Sequence, residues 1–180
     1  MEFLILIGTT REGRKTIRSA RAVRDKFEEA GHEVEFFDLE EKDIPYLGNR
    51  SYKKDEKPTP EDIKYLSQKV ERTDCLVIVT PEYNHSIPGA LKNALDYLYP
   101  EYDDLPFAYV TDSAGGFGGV RALSHLQDIT LALGGFPGPS IQISSVGEVL
   151  GETGEILEED YNERIEAFVE ESEEHVEKFN

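Results

Sequence analysis

Three short stretches of this chain combine residue types suited to holding a small anionic ligand rather than to cutting a bond. The first is Gly8-Thr9-Thr10-Arg11-Glu12-Gly13-Arg14-Lys15-Thr16, which leads into a helical pattern. Hydroxyls, free amides and guanidinium groups at a helix N-terminus suit a phosphate dianion. Arg11, Arg14, Lys15, Arg18, Arg21 and Arg24 place six of the 19 basic residues within 14 positions of an otherwise acidic chain. Arg18, Arg21 and Arg24 are read as a solvated basic face of the helix that follows. The loop is neither a P-loop nor a GxGxxG turn, so a mononucleotide phosphate fits it better than a tightly held adenine dinucleotide.

The second stretch runs Thr80-Pro81-Glu82-Tyr83-Asn84-His85-Ser86-Ile87-Pro88-Gly89. A proline at a strand end followed by polar residues leaves exposed amides for the edge of a flat heterocycle. Tyr83 offers an apolar surface beside them. The third stretch is Thr111-Asp112-Ser113-Ala114-Gly115-Gly116-Phe117-Gly118-Gly119. Four glycines in five residues let the backbone approach a ligand closely, at an entropic cost that a plain turn does not require. Other chemistry finds less support. His32, His85, His125 and His175 are scattered without metal-ligand spacing. Ser86 and Ser113 lack the elbow of a hydrolase. His85 is read either as a proton donor to an acceptor or as a residue that orders its loop. Cys75 reads as buried and structural.

The elements that must position these loops follow from hydropathy periods. Phe3 to Ile7 is an apolar run of the kind covered on both faces. Ile17, Ala20, Val23, Phe27 and Ala30 then fall at helical steps, with Gly31 as the stop. Val34 to Phe37 reads as a second strand and Asp38 to Pro58 as a long loop. A helix starts at Thr59-Pro60-Glu61-Asp62, with Ile63, Leu66 and Val70 as its stripe. Leu76 to Val79 and Phe107 to Val110 are strands three and four, flanking a helix from about Pro88. Val120, Leu123, Leu126 and Leu133 mark another helix, Ser140 to Ser144 a fifth strand, and a last helix starts near Glu158.

Alternation of this kind in 180 residues predicts one α/β domain over 1–180, a three-layer, doubly wound, five-stranded parallel sheet. The flavodoxin-like order 2-1-3-4-5 would bring the loops after strands one, three and four to one crevice. The net charge of −18 argues against nucleic acid and anionic membrane surfaces as partners. No apolar run is long enough to span a membrane, and Met1 to Gly8 lacks the flanks of a signal peptide, so a cytoplasmic location is expected. Between Glu152 and Glu177 stand eleven Glu and one Asp against Arg164 alone. Such self-repulsion suggests a halophilic, high-salt setting, or else a tail helix that docks on a basic partner.

Pro81 through Gly89, followed by Leu91-Lys92-Asn93-Ala94, resembles the signature of the NADPH-dependent FMN reductase family of flavin, quinone, azo-dye and chromate reductases. The first loop resembles its Gly-Ser-x-Arg element, with Thr9 where serine is usual. Gly115 through Arg121, on to Leu133-Gly134-Gly135, resembles its glycine-rich segment. By that resemblance Thr9, Thr10, Arg11, Arg14 and Thr16 would surround the FMN phosphate. Pro81, Glu82, Tyr83 and Asn84 would line the isoalloxazine, with Ser113, Gly115 and Gly116 on its other side. The resemblance implies an NAD(P)H-dependent, FMN-containing oxidoreductase, in which the flavin supplies the chemistry and no side chain is a nucleophile. A quinone, flavin, azo compound or metal oxyanion would be the acceptor, and the assembly a homodimer or dimer of dimers. Two rivals are an enzyme that releases reduced FMN and a flavodoxin-type electron carrier.

Overall fold

Five parallel strands in the order β2-β1-β3-β4-β5 form the spine of the computed structural model, which describes residues 1–48 and 59–179. They are β1 (Glu2–Ile7), β2 (Glu33–Asp38), β3 (Cys75–Pro81), β4 (Pro106–Asp112) and β5 (Phe136–Ile143). Helices α1 (Thr16–Glu29), α2 (Glu61–Val70), α3 (Gly89–Tyr97), α4 (Val120–Ala132), α5 (Val146–Val149) and α6 (Glu159–Glu177) complete the chain.

The unbroken apolar runs of β1, β3 and β4 follow from cover on both faces. Phe3, Ile5, Ile7, Cys75, Val77, Val79, Ala108 and Val110 point to a core closed by α1 and α6. Their alternates Leu4, Leu6, Leu76, Ile78, Phe107 and Tyr109 point to a second core under α2, α3 and α4. The period of two along each strand thus feeds two separate cores. Both are buried almost completely.

Three boundaries differ from the sequence reading. β5 begins at Phe136, not Ser140, and so takes in Pro137 and Pro139. Prolines argue against a central strand, but β5 lies at an edge and shifts register opposite Phe107 and Tyr109, where lost amides are tolerated. The short helix α5 was not read from sequence; it is only four residues long and follows an N-cap, Ser145, whose φ is 47°. The expected loop after β2 opens with a 3-10 turn at Leu39–Glu41. Its stretch from 49 to 58 lies outside the described residues.

Candidate functional site

The order of strands reverses between β1 and β3, and the loops after β1, β3 and β4 meet there. They enclose a cleft of about 360 Å³, lined by Arg11 to Thr16, Pro81 to Tyr83, Asp112 to Ala114 and Val146. That size falls within the usual range of about 300–1,000 Å³ for small-molecule sites.

The β1 loop reaches α1 through Gly13, whose φ of 68° suits a residue without Cβ. Helix α1 has no side-chain cap. The amides of Gly13, Lys15, Thr16 and Ile17 have no partner among the described residues. Arg11 is exposed, and neither Arg11 nor Lys15 has an ion-pair partner among them. Lys15 lies along α5, with Nζ packed over Gly147 where a Cβ would stand. Two free cations and the positive end of a helix therefore face the same space.

Arg14 serves differently. Its guanidinium grips Asp38 at the end of β2 in a bidentate pair, reaches Glu40 Oε2 at 3.0 Å, and donates to the Thr9 carbonyl at 2.7 Å. Both side chains of the Arg14–Asp38 pair are only 8% exposed. Arg14 borders the cleft, yet its charge is already balanced, and it ties the β1 loop to β2. The arginines read as a solvated face are bound as well. Arg18 donates to the Leu150 carbonyl and Arg21 to that of Glu152, while Arg24 pairs with Asp25 and lies over Phe36.

Thr9 is fully buried, and its hydroxyl shares a 2.7 Å hydrogen bond with the Tyr83 hydroxyl, joining the first loop to the second. Tyr83 to Ser86 forms a tight turn, with Tyr83 N to Ser86 O at 2.8 Å and Ser86 N to Tyr83 O at 3.0 Å. Its central residues Asn84 and His85 have φ of 49° and 65°, as in a type I′ turn. Glu82 accepts from the Arg121 amide at 3.0 Å and so caps α4, whose own N-cap is Gly119. The Glu82 carboxylate also lies near His85 Nδ1 at 3.6 Å and Arg121 Nη1 at 3.9 Å. This leaves the amides of Glu82, Asn84 and His85 without a partner among the described residues.

In the third loop the carbonyls are tied down, while the amides of Ala114, Gly115, Gly116 and Phe117 have no partner among the described residues. Ser113 Oγ donates to Gly115 O, Ser144 Oγ to Gly116 O and Thr111 Oγ1 to Gly118 O. Gly118 and Gly119 have φ of 56° and 78°, and a Cβ there would collide with Gln142 or Thr111. Those two glycines are explained by the fold. Gly115 and Gly116 are not: a Cβ on either would point into open space, room that a ligand beside the loop would fill.

Of the residues proposed from sequence, Arg11, Arg14, Thr16, Pro81, Glu82, Tyr83 and Ser113 line the cleft. Thr10, Gly115 and Gly116 are exposed and are not among its lining residues; Thr9 sits behind it, and Asn84 faces a neighbouring groove with His85, Ser86 and His125. Sequence reasoning did not single out Lys15 or Asp112. Lys15 stood within the basic run, and Asp112 could have been marked as an acid at the end of a central strand. Asp112 is 2% exposed, and burial pushes its carboxyl up to about 6 against hydrogen bonds from Ser19 and Thr16. Cys75 is buried, and burial raises its thiol far above the range of a nucleophile.

Sheet order and crevice together define an α/β protein of the flavodoxin-like class. Residues 1–148 match the family model of the NADPH-dependent FMN reductases, and the chain belongs to that family. It is 32% identical over 132 residues to the NADH:(hydroxy)cinnamate reductase subunit CrdA of Vibrio ruber, covering 72% of this chain and 62% of that protein. The chain therefore spans less than two thirds of that relative's length. An FMN-dependent NADPH-azoreductase of Staphylococcus aureus is 32% identical over 140 residues, 78% of this chain and 74% of its own. The flavoenzyme NAD(P)H:(acceptor) oxidoreductase FerB of Paracoccus denitrificans shares the fold, with a TM-score of 0.80 at 24% identity over 99% of this chain and 98% of that one.

Proposed function

We propose that the chain binds FMN in this cleft and moves electrons from NAD(P)H to a small acceptor. The observation that supports the reading best is that Arg11 and Lys15, beside the amides at the start of α1, have no ion-pair partner among the described residues. That set matches a phosphate monoester in charge and in hydrogen-bond polarity. The glycine backbone at 115 and 116 and the Tyr83–Ser86 turn fit a flat ring, with amides aimed at its polar edge. Bound FMN would supply hydride acceptance and electron release, for which the cleft offers no side-chain substitute.

The chain's own residues bind and orient. Arg11 and Lys15 hold the phosphate, and Thr9 with Tyr83 locks the two loops at a fixed spacing. Azo compounds, cinnamates, quinones and flavins are the acceptor classes to try first, the first two from the names of relatives. Anaerobic stopped-flow mixing of the FMN-loaded protein with NADPH and NADH tests the reading, with loss of flavin absorbance expected. A bound flavin that neither nicotinamide bleaches would reassign the chain to the electron carriers.

The same proposal includes a cytoplasmic homodimer, or dimer of dimers, working at high salt. Exposed Phe117, Val120 and Leu131 on and before α4 give a second copy an apolar surface, and two-fold assembly is the commonest kind. Among the described residues no helix is long and apolar enough to cross a membrane. Most acidic side chains of α6 are exposed, so chloride should raise the melting temperature between about 0.1 and 3 M by screening them. A flat or falling curve would remove the high-salt setting, and a monomeric mass in light scattering would remove the dimer.

A further inference from the structure

The floor of the cleft holds a carboxyl group whose two hydrogen-bond donors both sit at the start of α1. Asp112 Oδ1 accepts from Thr16 Oγ1 at 3.0 Å, and Oδ2 accepts from Ser19 Oγ at 3.0 Å. Thr16, itself only 2% exposed, lines the cleft beside Asp112, and Ser19 is fully buried one turn deeper. A hydroxyl has one proton to give, and an ionised carboxylate can only accept. While Asp112 is ionised, the Thr16 proton is committed inward, and Thr16 turns only lone pairs toward the start of α1. A protonated Asp112 has one O–H of its own. Given to Thr16 Oγ1, that proton frees the threonine proton to point outward.

We propose that Asp112 is a positioning residue for the phosphate of the bound nucleotide: it takes up a proton as the phosphate docks, and so turns the Thr16 hydroxyl from acceptor into donor toward it. This rests on the FMN reading above. It adds to that reading a residue that touches no ligand and acts through another.

The charges around Asp112 are compatible with that role. Arg11, Glu12, Arg14 and Lys15 face the cleft from the β1 loop, and Glu82 faces it from the loop after β3. The β5–α5 side contributes Val146, with Glu148 exposed farther along. Arg14 is balanced by Asp38 and Glu40, and Glu82 by Arg121 and His85. Arg11 and Lys15 remain against Glu12, and none of them hydrogen-bonds Asp112, so among the described residues hydroxyls hold the carboxyl. Burial places its proton exchange near pH 6, and a second anion nearby raises it further.

The test compares FMN with riboflavin, which lacks the phosphate, by flavin fluorescence quenching from pH 5 to 8. Wild type, Asp112→Asn and Thr16→Val are titrated, and the ratio of FMN to riboflavin affinity removes the contribution of the ring. The second ionisation of the phosphate, near pH 6, acts on all three proteins alike. The wild-type ratio, divided by that of Asp112→Asn, should fall about tenfold from pH 5 to 8, the effect of one hydrogen bond to a charged group. In wild type alone, calorimetry at pH 7 in buffers of different ionisation enthalpy should show proton uptake with FMN and none with riboflavin. Parallel pH profiles in wild type and Asp112→Asn, with FMN still bound, would overturn the proposal. So would an equal fall in Thr16→Val, which would leave charge repulsion alone at work. Failure of all three to bind FMN at any pH would overturn it together with the function it rests on.

Discussion

The two walls of the cleft are held in opposite ways. On the α1 side, buried side chains fix the geometry: Arg14 on Asp38, and Thr16 and Ser19 on Asp112. On the side of the β3 and β4 loops, the backbone does it, through the Tyr83–Ser86 turn and the tethered carbonyls of Gly115 and Gly116. The first wall presents charge and depends on which residue stands where. The second presents shape and open amides, and depends on which residues have no side chain. A change on the first wall should therefore alter stability or anion affinity, and a change on the second should alter ring binding with little effect on stability.

The largest effect expected is that of Arg14→Ala. It leaves the buried Asp38 carboxylate without its cation, and breaking such a pair costs about 3–5 kcal/mol. Chemical denaturation at neutral pH measures it, and a loss below about 1 kcal/mol would erase the contrast between the walls. Next comes Asp112→Asn. The folded carboxyl sits at about 6, above its ordinary value of 3.8, so its contribution is complete below the ordinary value and is lost as pH rises through about 6. Wild-type stability should thus fall relative to Asp112→Asn between pH 4 and 8, by about 3 kcal/mol for a shift of about two pH units. Denaturation of both proteins across that range checks the sign, and a constant difference would contradict it.

Arg11→Ala sharpens the comparison from the other direction. It should leave stability within about 0.5 kcal/mol. FMN should weaken by the roughly 1.5–3 kcal/mol of a charge-assisted hydrogen bond while riboflavin is unchanged. Equal losses for both flavins would move the phosphate away from Arg11. The smallest change in stability belongs to Gly115→Ala, whose Cβ meets nothing within 4 Å. Unfolding should shift by no more than about 0.5 kcal/mol, while FMN and riboflavin weaken together. A selective loss of FMN would place the phosphate, not the ring, at this loop.

The sheet order and the meeting of the three loops were legible in the sequence because they follow from local periods and from the rule that ligands sit where strand order reverses. The division of labour among the basic residues was not. Arg11 and Arg14 are three positions apart in one loop, and what separates them is Asp38, 24 positions beyond Arg14 at the end of another strand. No local pattern reports such a pairing. Asp112 was hidden for a related reason: an acid beside glycines reads as loop, and only the approach of α1 buries it under Thr16 and Ser19. The start of β5 was obscured by Pro137 and Pro139, since rules learned from central strands fail at an edge.

Those two prolines have a consequence for how copies of the chain can meet. An exposed sheet edge is a template on which a foreign strand can add, and the lost amides at 137 and 139 remove donors such a strand would need. At the opposite edge, β2 sets exposed Glu33 and Glu35 in alternate positions, so an identical strand laid alongside would bring like charges together. Both ends of the sheet thus resist β-augmentation and runaway fibre growth. A second copy that docks on this chain is thereby left the helical faces rather than the sheet edges.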